Sequence, residues 1–226
     1  MSICYSSEIY NIDPKDLAIL ANSDDEALVD DEVVLFIGNK KDGVKDCLLK
    51  GREVVERAVM DGVEYVPVRV AFLSRTKKYD VISPLIRTLR YKYRAASSNI
   101  YHVRPQDIRD MKIERGIRTR ENAYEFSNPK YKMDDDLRKS TYQELYESMK
   151  AKGYDDNHPV DIMLCRNFGV QDTVNQGHHR VGVAVELKLN RMAVEFSAAG
   201  QSPKILLPLF RVFAKINMFV MHYRGV

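Results

Sequence analysis

Two stretches of the chain alternate apolar and polar positions in nearly the same words. Ile9-Tyr10-Asn11-Ile12-Asp13-Pro14-Lys15-Asp16-Leu17 reads like Ile100-Tyr101-His102-Val103-Arg104-Pro105-Gln106-Asp107-Ile108. Each predicts a strand that ends in a turn or short helix at the proline. A second pair follows the same order. Gly51-Arg52-Glu53-Val54 runs through Ala58 into Gly62-Val63-Glu64-Tyr65-Val66-Pro67-Val68, and it overlays Gly177-His178-His179-Arg180 through Ala184 to Met192-Ala193-Val194 without gaps. In each a glycine turn opens an amphipathic helix, with Val54, Val55, Ala58 and Val59 inward in one and Val181, Val185 and Leu187 in the other. A β-rich run comes next. A third pair, Pro84 to Leu89 and Pro208 to Phe213, predicts closing helices that start at Ser83-Pro84 and Ser202-Pro203.

Three matches in register order imply a duplication. The expected fold class is α/β (α+β), with two tandem units, each a small mixed sheet with packed helices. The first unit spans 1–97 and ends in its closing helix; the second spans 98–226. The second is longer by a basic insertion at about 111–139, which carries Tyr124, Phe126 and Tyr131 and suits a ligand-touching loop. The last helix, Ile205 to Val220, can close the second unit's core or form a homodimer contact.

Composition narrows the class. The chain is 226 residues long, 45% hydrophobic and 30% charged, as in soluble domains. Lys or Arg breaks the longest apolar stretches, so no membrane span is expected. Met1 to Glu8 shows no basic start and apolar run, so no signal peptide is expected either. Cys4, Cys47 and Cys165 are scattered and odd in number, which argues against a disulfide framework and for a cytoplasmic setting.

The net charge of +3 hides an uneven distribution. Twelve Lys or Arg face five acids between Arg87 and Lys132, while Asp24 to Glu32 and Asp134 to Asp136 are acidic. Arg87, Arg90 and Arg94 share one face of a linking helix whose other face holds Leu85, Leu89 and Tyr93. Arg115, Arg118 and Arg120, with Tyr124 and Phe126, supply cations for phosphates and rings for bases. DNA or another nucleic acid is therefore a candidate partner. Asp134-Asp135-Asp136 can hold a divalent cation such as Mg beside a nucleotide, or cap a helix.

Candidate chemistry converges on the second glycine turn. A glycine at a helix mouth lets backbone N–H groups approach an anion, and the helix end adds partial positive charge. Arg180, in the first turn, can grip a phosphate with two nitrogens. His178 and His179 can donate hydrogen bonds or shuttle protons near neutral pH. His158 would be the third ligand if the two histidines bound a metal. Glu144 and Glu147, three apart on the preceding helix, are candidate general bases. In the first unit Gly51-Arg52-Glu53-Val54 has no histidine, and Val stands in place of the arginine. Lys50 and Arg52 remain for a phosphate, and that unit reads as a degenerate half.

The order Tyr142 to Gly153, His158-Pro159-Val160-Asp161-Ile162-Met163-Leu164, then Gln176-Gly177-His178-His179-Arg180 and a helix resembles the ParB/sulfiredoxin superfamily. The resemblance covers about 100 residues of the second unit. It implies a fold shared by CTP-binding partition proteins, free-serine kinases, nucleases and sulfiredoxins. Sulfiredoxin chemistry would need a cysteine where His178 stands. A partition protein would continue into a helix-turn-helix domain, and too little chain follows. The serine-kinase loop, Asp-Gly-His-His-Arg, is the closest match, with Gln176 in place of its aspartate; Asn175, Asp172 or an acid of the insertion is left to substitute. The resemblance implies a nucleotide (ATP, ADP or CTP) at Gln176, Gly177, His178 and Arg180. The expectation is phosphoryl transfer or phosphodiester or nucleotide hydrolysis, with His178, His179, Arg180 and Glu144 as catalytic candidates. The alternative is a non-catalytic nucleic-acid-binding protein with a basic surface.

Overall fold

The computed structural model describes residues 2–22, 32–39, 43–74, 93–109, 111, 135–165 and 171–199. The chain opens with strand β1, Ser2–Ile12, and the five-residue helix α1, Pro14–Ala18. Asp13 caps α1 by accepting from the Lys15 N–H at 2.9 Å, and Pro14 supplies a fixed φ in the first turn. Strands β2 (Ala21–Asn22), β3 (Val33–Phe36) and β4 (Cys47–Lys50) lead to helix α2, Arg52–Met60, and to strand β5, Val66–Ser74.

The second half begins with β6 (Tyr93–Ala96) and β7 (Tyr101–Val103). A 3-10 turn at Pro105–Ile108 follows, where Arg104 provides no side-chain cap. Helix α3, Asp135–Lys152, precedes β8 (Val160–Cys165), β9 (Gln171–Gln176), helix α4 (His178–Glu186) and β10 (Met192–Ala199). The class is α/β: helices and one mixed sheet of ten strands among the described residues. The strand order is β2-β4-β3-β5-β1-β7-β10-β8-β9, with β6 also on β10. Thus β6, which lies in the stretch assigned by sequence to the first unit, pairs with a strand of the second half.

The same pairings occur twice. β5 lies between β3 in parallel and β1 in antiparallel, and β10 lies between β8 in parallel and β7 with β6 in antiparallel. The antiparallel registers match over most of their length and diverge only at the end, where Leu73 faces Ile3 but Ala199 faces Tyr93. Ile12 faces Val66 as Val103 faces Met192, and Tyr5 faces Ala71 as Ala96 faces Ser197. A constant offset of 126 residues carries Gly51 to Gly177 and Gly62 to Lys188. Gly51 and Gly177 have φ of +83° and +91°, and Gly62 and Lys188 have +68° and +55°. Both nine-residue helices therefore start and stop on left-handed residues at the same places. A left-handed non-glycine residue costs roughly 1–2 kcal/mol. Relieving it at Lys188, less glycine's own entropy cost, should raise stability by about 0.5–1 kcal/mol in Lys188→Gly. Urea unfolding checks this, and an unchanged midpoint would contradict it.

The halves join at the sheet's centre, where β1 meets β7 at Ile12 and Val103. Phe196 packs against Tyr10 with ring centroids 5.0 Å apart and against Tyr101 at 5.8 Å. These two tyrosines stand at matching positions, 91 residues apart. Each gives its hydroxyl to a buried aspartate of the other half. Tyr10 donates to Asp172 at 2.8 Å, and Tyr101 to Asp46 at 2.7 Å. Asp172 also accepts from the N–H groups of Ser7 (3.0 Å) and Glu8 (3.1 Å), and its own N–H donates to the Ser7 hydroxyl (2.8 Å). Asp46 repeats the set with the N–H groups of Ser98 (2.9 Å) and Asn99 (3.1 Å), and its N–H donates to the Ser98 hydroxyl (3.1 Å). Each half thus clamps the other through matching positions, with Glu8 of one clamp replaced by Asn99 in the other. Burial and the Asp46 carboxylate push the Tyr101 hydroxyl far above the ordinary tyrosine range, so it stays a donor.

Candidate functional site

Gly177 is placed by its neighbours as well as by its φ. A Cβ built there would stand 3.0 Å from Val160 Cγ2 and 3.2 Å from Arg180 Nη2. The guanidinium of Arg180 therefore lies directly beside the glycine at the mouth of α4. No side chain caps this helix start. Gly51 sits in the same way, against Val33 at the start of β3.

The orientation of Arg180 is set by carbonyl groups. Its Nη1 donates to the carbonyl oxygens of His158 and Pro159, the latter at 3.1 Å. One nitrogen is thus committed to the turn before β8, and Nη2 lies against Gly177. Nε and Nη2 form the remaining edge through which a two-nitrogen phosphate grip, expected from sequence, would have to be made. That turn is braced from several sides. Tyr154 donates to the His158 carbonyl at 2.9 Å, and burial pushes its hydroxyl up to about 12. Asp155 accepts from the Asn157 N–H at 3.0 Å, and these bonds hold its carboxyl below the usual range. Asp156 reaches His102 Nε2 at 3.2 Å.

His178 and His179 occupy the first two positions of α4, half-buried, with ring centroids 4.4 Å apart and nearly perpendicular. Tyr142 of α3 stands edge-on to His179 at 6.0 Å and donates to Glu186 at 3.0 Å. Sequence reading missed Tyr142 as a neighbour of the loop. The signal was there: Tyr142, Leu145, Tyr146 and Met149 share the helical face that packs toward the core. Glu144 and Glu147 lie on the exposed side of α3, and Glu147 accepts from Gln143 at 3.0 Å.

In the first half Arg52, Glu53 and Val54 take the places of His178, His179 and Arg180. Arg52 donates to the carbonyls of Ala18 (3.2 Å) and Leu20 (2.9 Å) and to Glu56 (2.8 Å), so it serves as a tie between α1 and α2. Asp172, considered from sequence as a stand-in for the acid that Gln176 replaces, is committed to the interhalf clamp and is buried. Asn175 donates to Asp161, which also accepts from Ser197 at 2.7 Å.

Among the described residues no three His, Cys, Asp or Glu side chains gather as a metal site. The His158 ring faces Asp155 at 3.7 Å. Arg87, Arg90, Arg115, Arg118, Arg120, Tyr124 and Asp134 lie outside the described residues, as do the two segments expected from sequence to form closing helices. Arg94 lies in β6. No described helix is long and apolar enough to cross a membrane. No family model, no curated protein and no solved structure matches the chain.

Proposed function

We propose that the chain is a duplicated ParB/sulfiredoxin-like protein whose second half alone binds a phosphate group of a nucleotide or nucleic acid, at Gly177–Arg180. The observation that carries this reading is the difference between two matched helix mouths. Both open on a left-handed glycine. Only the second adds two histidines and an arginine lying beside the glycine. Helix N-terminal amides and the remaining guanidinium donors favour an anion there. His178 and His179 would move a proton or stabilise developing charge, which suits phosphoryl transfer or phosphodiester hydrolysis. The Lys- and Arg-rich stretch between Arg87 and Lys132 favours nucleic acid as one source of that phosphate. Magnesium is the expected companion of a nucleotide and would neutralise its phosphates.

Isothermal titration with ATP, ADP and CTP, with and without Mg²⁺, tests the reading. Binding of at least one is expected. Arg180→Ala should weaken it by roughly tenfold or more, the worth of a charged hydrogen bond together with the lost anchor to the turn. Binding by none of them, nor by inorganic phosphate or DNA, removes it.

A further inference from the structure

We propose that His102 is the positioning residue of the Gly177–Arg180 loop, bridging the first half to the turn that holds Arg180. The inference rests on the reading of that loop as a phosphate site. His102 of β7 is buried between the halves. Its Nδ1 lies 2.9 Å from Asp16 Oδ2 on α1, and its Nε2 lies 3.2 Å from Asp156 Oδ2 in the turn before β8. Asp16 also accepts from the His102 N–H at 2.6 Å. The imidazolium alone can donate to both carboxylates at once, whereas Arg191 Nη2, which can only donate, also lies 3.0 Å from Nδ1 and favours the neutral ring.

Two residues after Asp156 comes the His158 carbonyl, which receives Arg180 Nη1. The path from α1 to the loop is therefore continuous: Asp16, His102, Asp156, the His158 and Pro159 carbonyls, Arg180, Gly177. The matching position in the first half shows what the fold alone requires. There Asn11, on β1, donates to Asp107 at 3.1 Å. An amide suffices to join strand and helix across the halves; among the described residues, the ring of His102 adds a second nitrogen that reaches a further acid, Asp156, on the side of the Gly-His-His-Arg loop.

The charged groups around the ring come from each neighbouring element. Asp16 comes from α1, Asp156 from the turn before β8, and Arg191 from the turn before β10, with Nη2 3.0 Å from Nδ1. Tyr65, before β5, lies within reach of Arg191 and Arg104. Burial works against the ring's charge; the Asp16 bond and charge, with the Asp156 bond, outweigh it and raise the pKa above 6.5. A raised folded pKa means the bridge is complete below the ordinary histidine range and is lost as pH rises through the folded value.

The test uses the full chain and two readouts. NMR follows the His102 ring, the Arg180 Nε–H and the amides of residues 155–159 against pH, in a His158→Gln background that keeps the carbonyl and removes the neighbouring imidazole. The Arg180 and turn signals should carry a component with the His102 midpoint, absent in His102→Asn. Nucleotide affinity, measured in parallel, should fall by about fivefold across that midpoint and lose this component in His102→Asn, a coupling of ordinary size. Asp156→Asn, which leaves the Asp16 bond in place, should give the same loss if His102→Asn does not fold. Signals of Arg180 and the turn that ignore the His102 titration overturn the proposal. Coupling in the spectra with no phosphate ligand binding keeps the positioning role and removes the phosphate reading instead.

Discussion

Asp172→Ala is expected to lower the free energy of unfolding by about 3–4 kcal/mol, because it strands three donors at once. The N–H groups of Ser7 and Glu8 and the Tyr10 hydroxyl all converge on one carboxylate oxygen. Tyr10 is 2% exposed and Asp172 1%, so water replaces the lost acceptor poorly. The clamp also closes the contact between halves, and the damage should therefore appear in global unfolding rather than in local fraying. Tyr10→Phe removes one donor and should cost about 1–1.5 kcal/mol. In the double variant the two costs should overlap by about 1–2 kcal/mol, the signature of a direct pair. Asp46→Ala with Tyr101→Phe should repeat the pattern, since the contacts repeat. Urea unfolding measures all of these. A loss under about 1 kcal/mol for Asp172→Ala would mean that the interhalf clamp contributes little.

The clamp shows what the sequence could not disclose. The glycine-to-helix-to-strand segments were legible because every signal in them is local. Gly51 and Gly177 must be glycine for backbone reasons, and the valines after them mark a helix face by spacing. The strands around Tyr10 and Tyr101 were legible for the same reason. Asp46 and Asp172 carry no such local mark. Their partners lie 52 and 165 residues away in the chain, so Asp172 read as a spare acid near the loop. Arg180 is an intermediate case. Its residue type points to an anion, but its direction is decided by carbonyl oxygens of the turn before β8. Those carbonyls belong to residues 21 and 22 positions earlier and have no side-chain signature. Likewise His102 appeared only as the counterpart of Asn11 in a repeated strand. Its role depends on Asp16 and Asp156 meeting it from two directions.

Gly51→Ala and Gly177→Ala should separate a glycine that only supports the sheet from the glycine of the proposed phosphate site. Both need a left-handed backbone, at a common cost of about 1–2 kcal/mol for a Cβ. The neighbours then differ. A Cβ at position 51 would meet Val33 Cα at 2.8 Å and the Glu32 carbonyl oxygen at 2.9 Å. These are backbone atoms at the start of a sheet strand, so β3 or α2 must move. Gly51→Ala should therefore cost about 3 kcal/mol or more in unfolding free energy. At position 177 the nearest atoms are the Val160 methyl at 3.0 Å and the Arg180 guanidinium at 3.2 Å. Both are side-chain ends that can give way, which holds the stability cost near about 2 kcal/mol. The displaced group, however, is the arginine at the helix mouth. Gly177→Ala should therefore weaken phosphate-ligand binding by roughly tenfold, while Gly51→Ala, measured where it remains folded, should leave affinity near the parent's. The reverse order of stabilities, or equal losses of affinity, would contradict the proposed division between a half that only supports the sheet and a half that also presents a site.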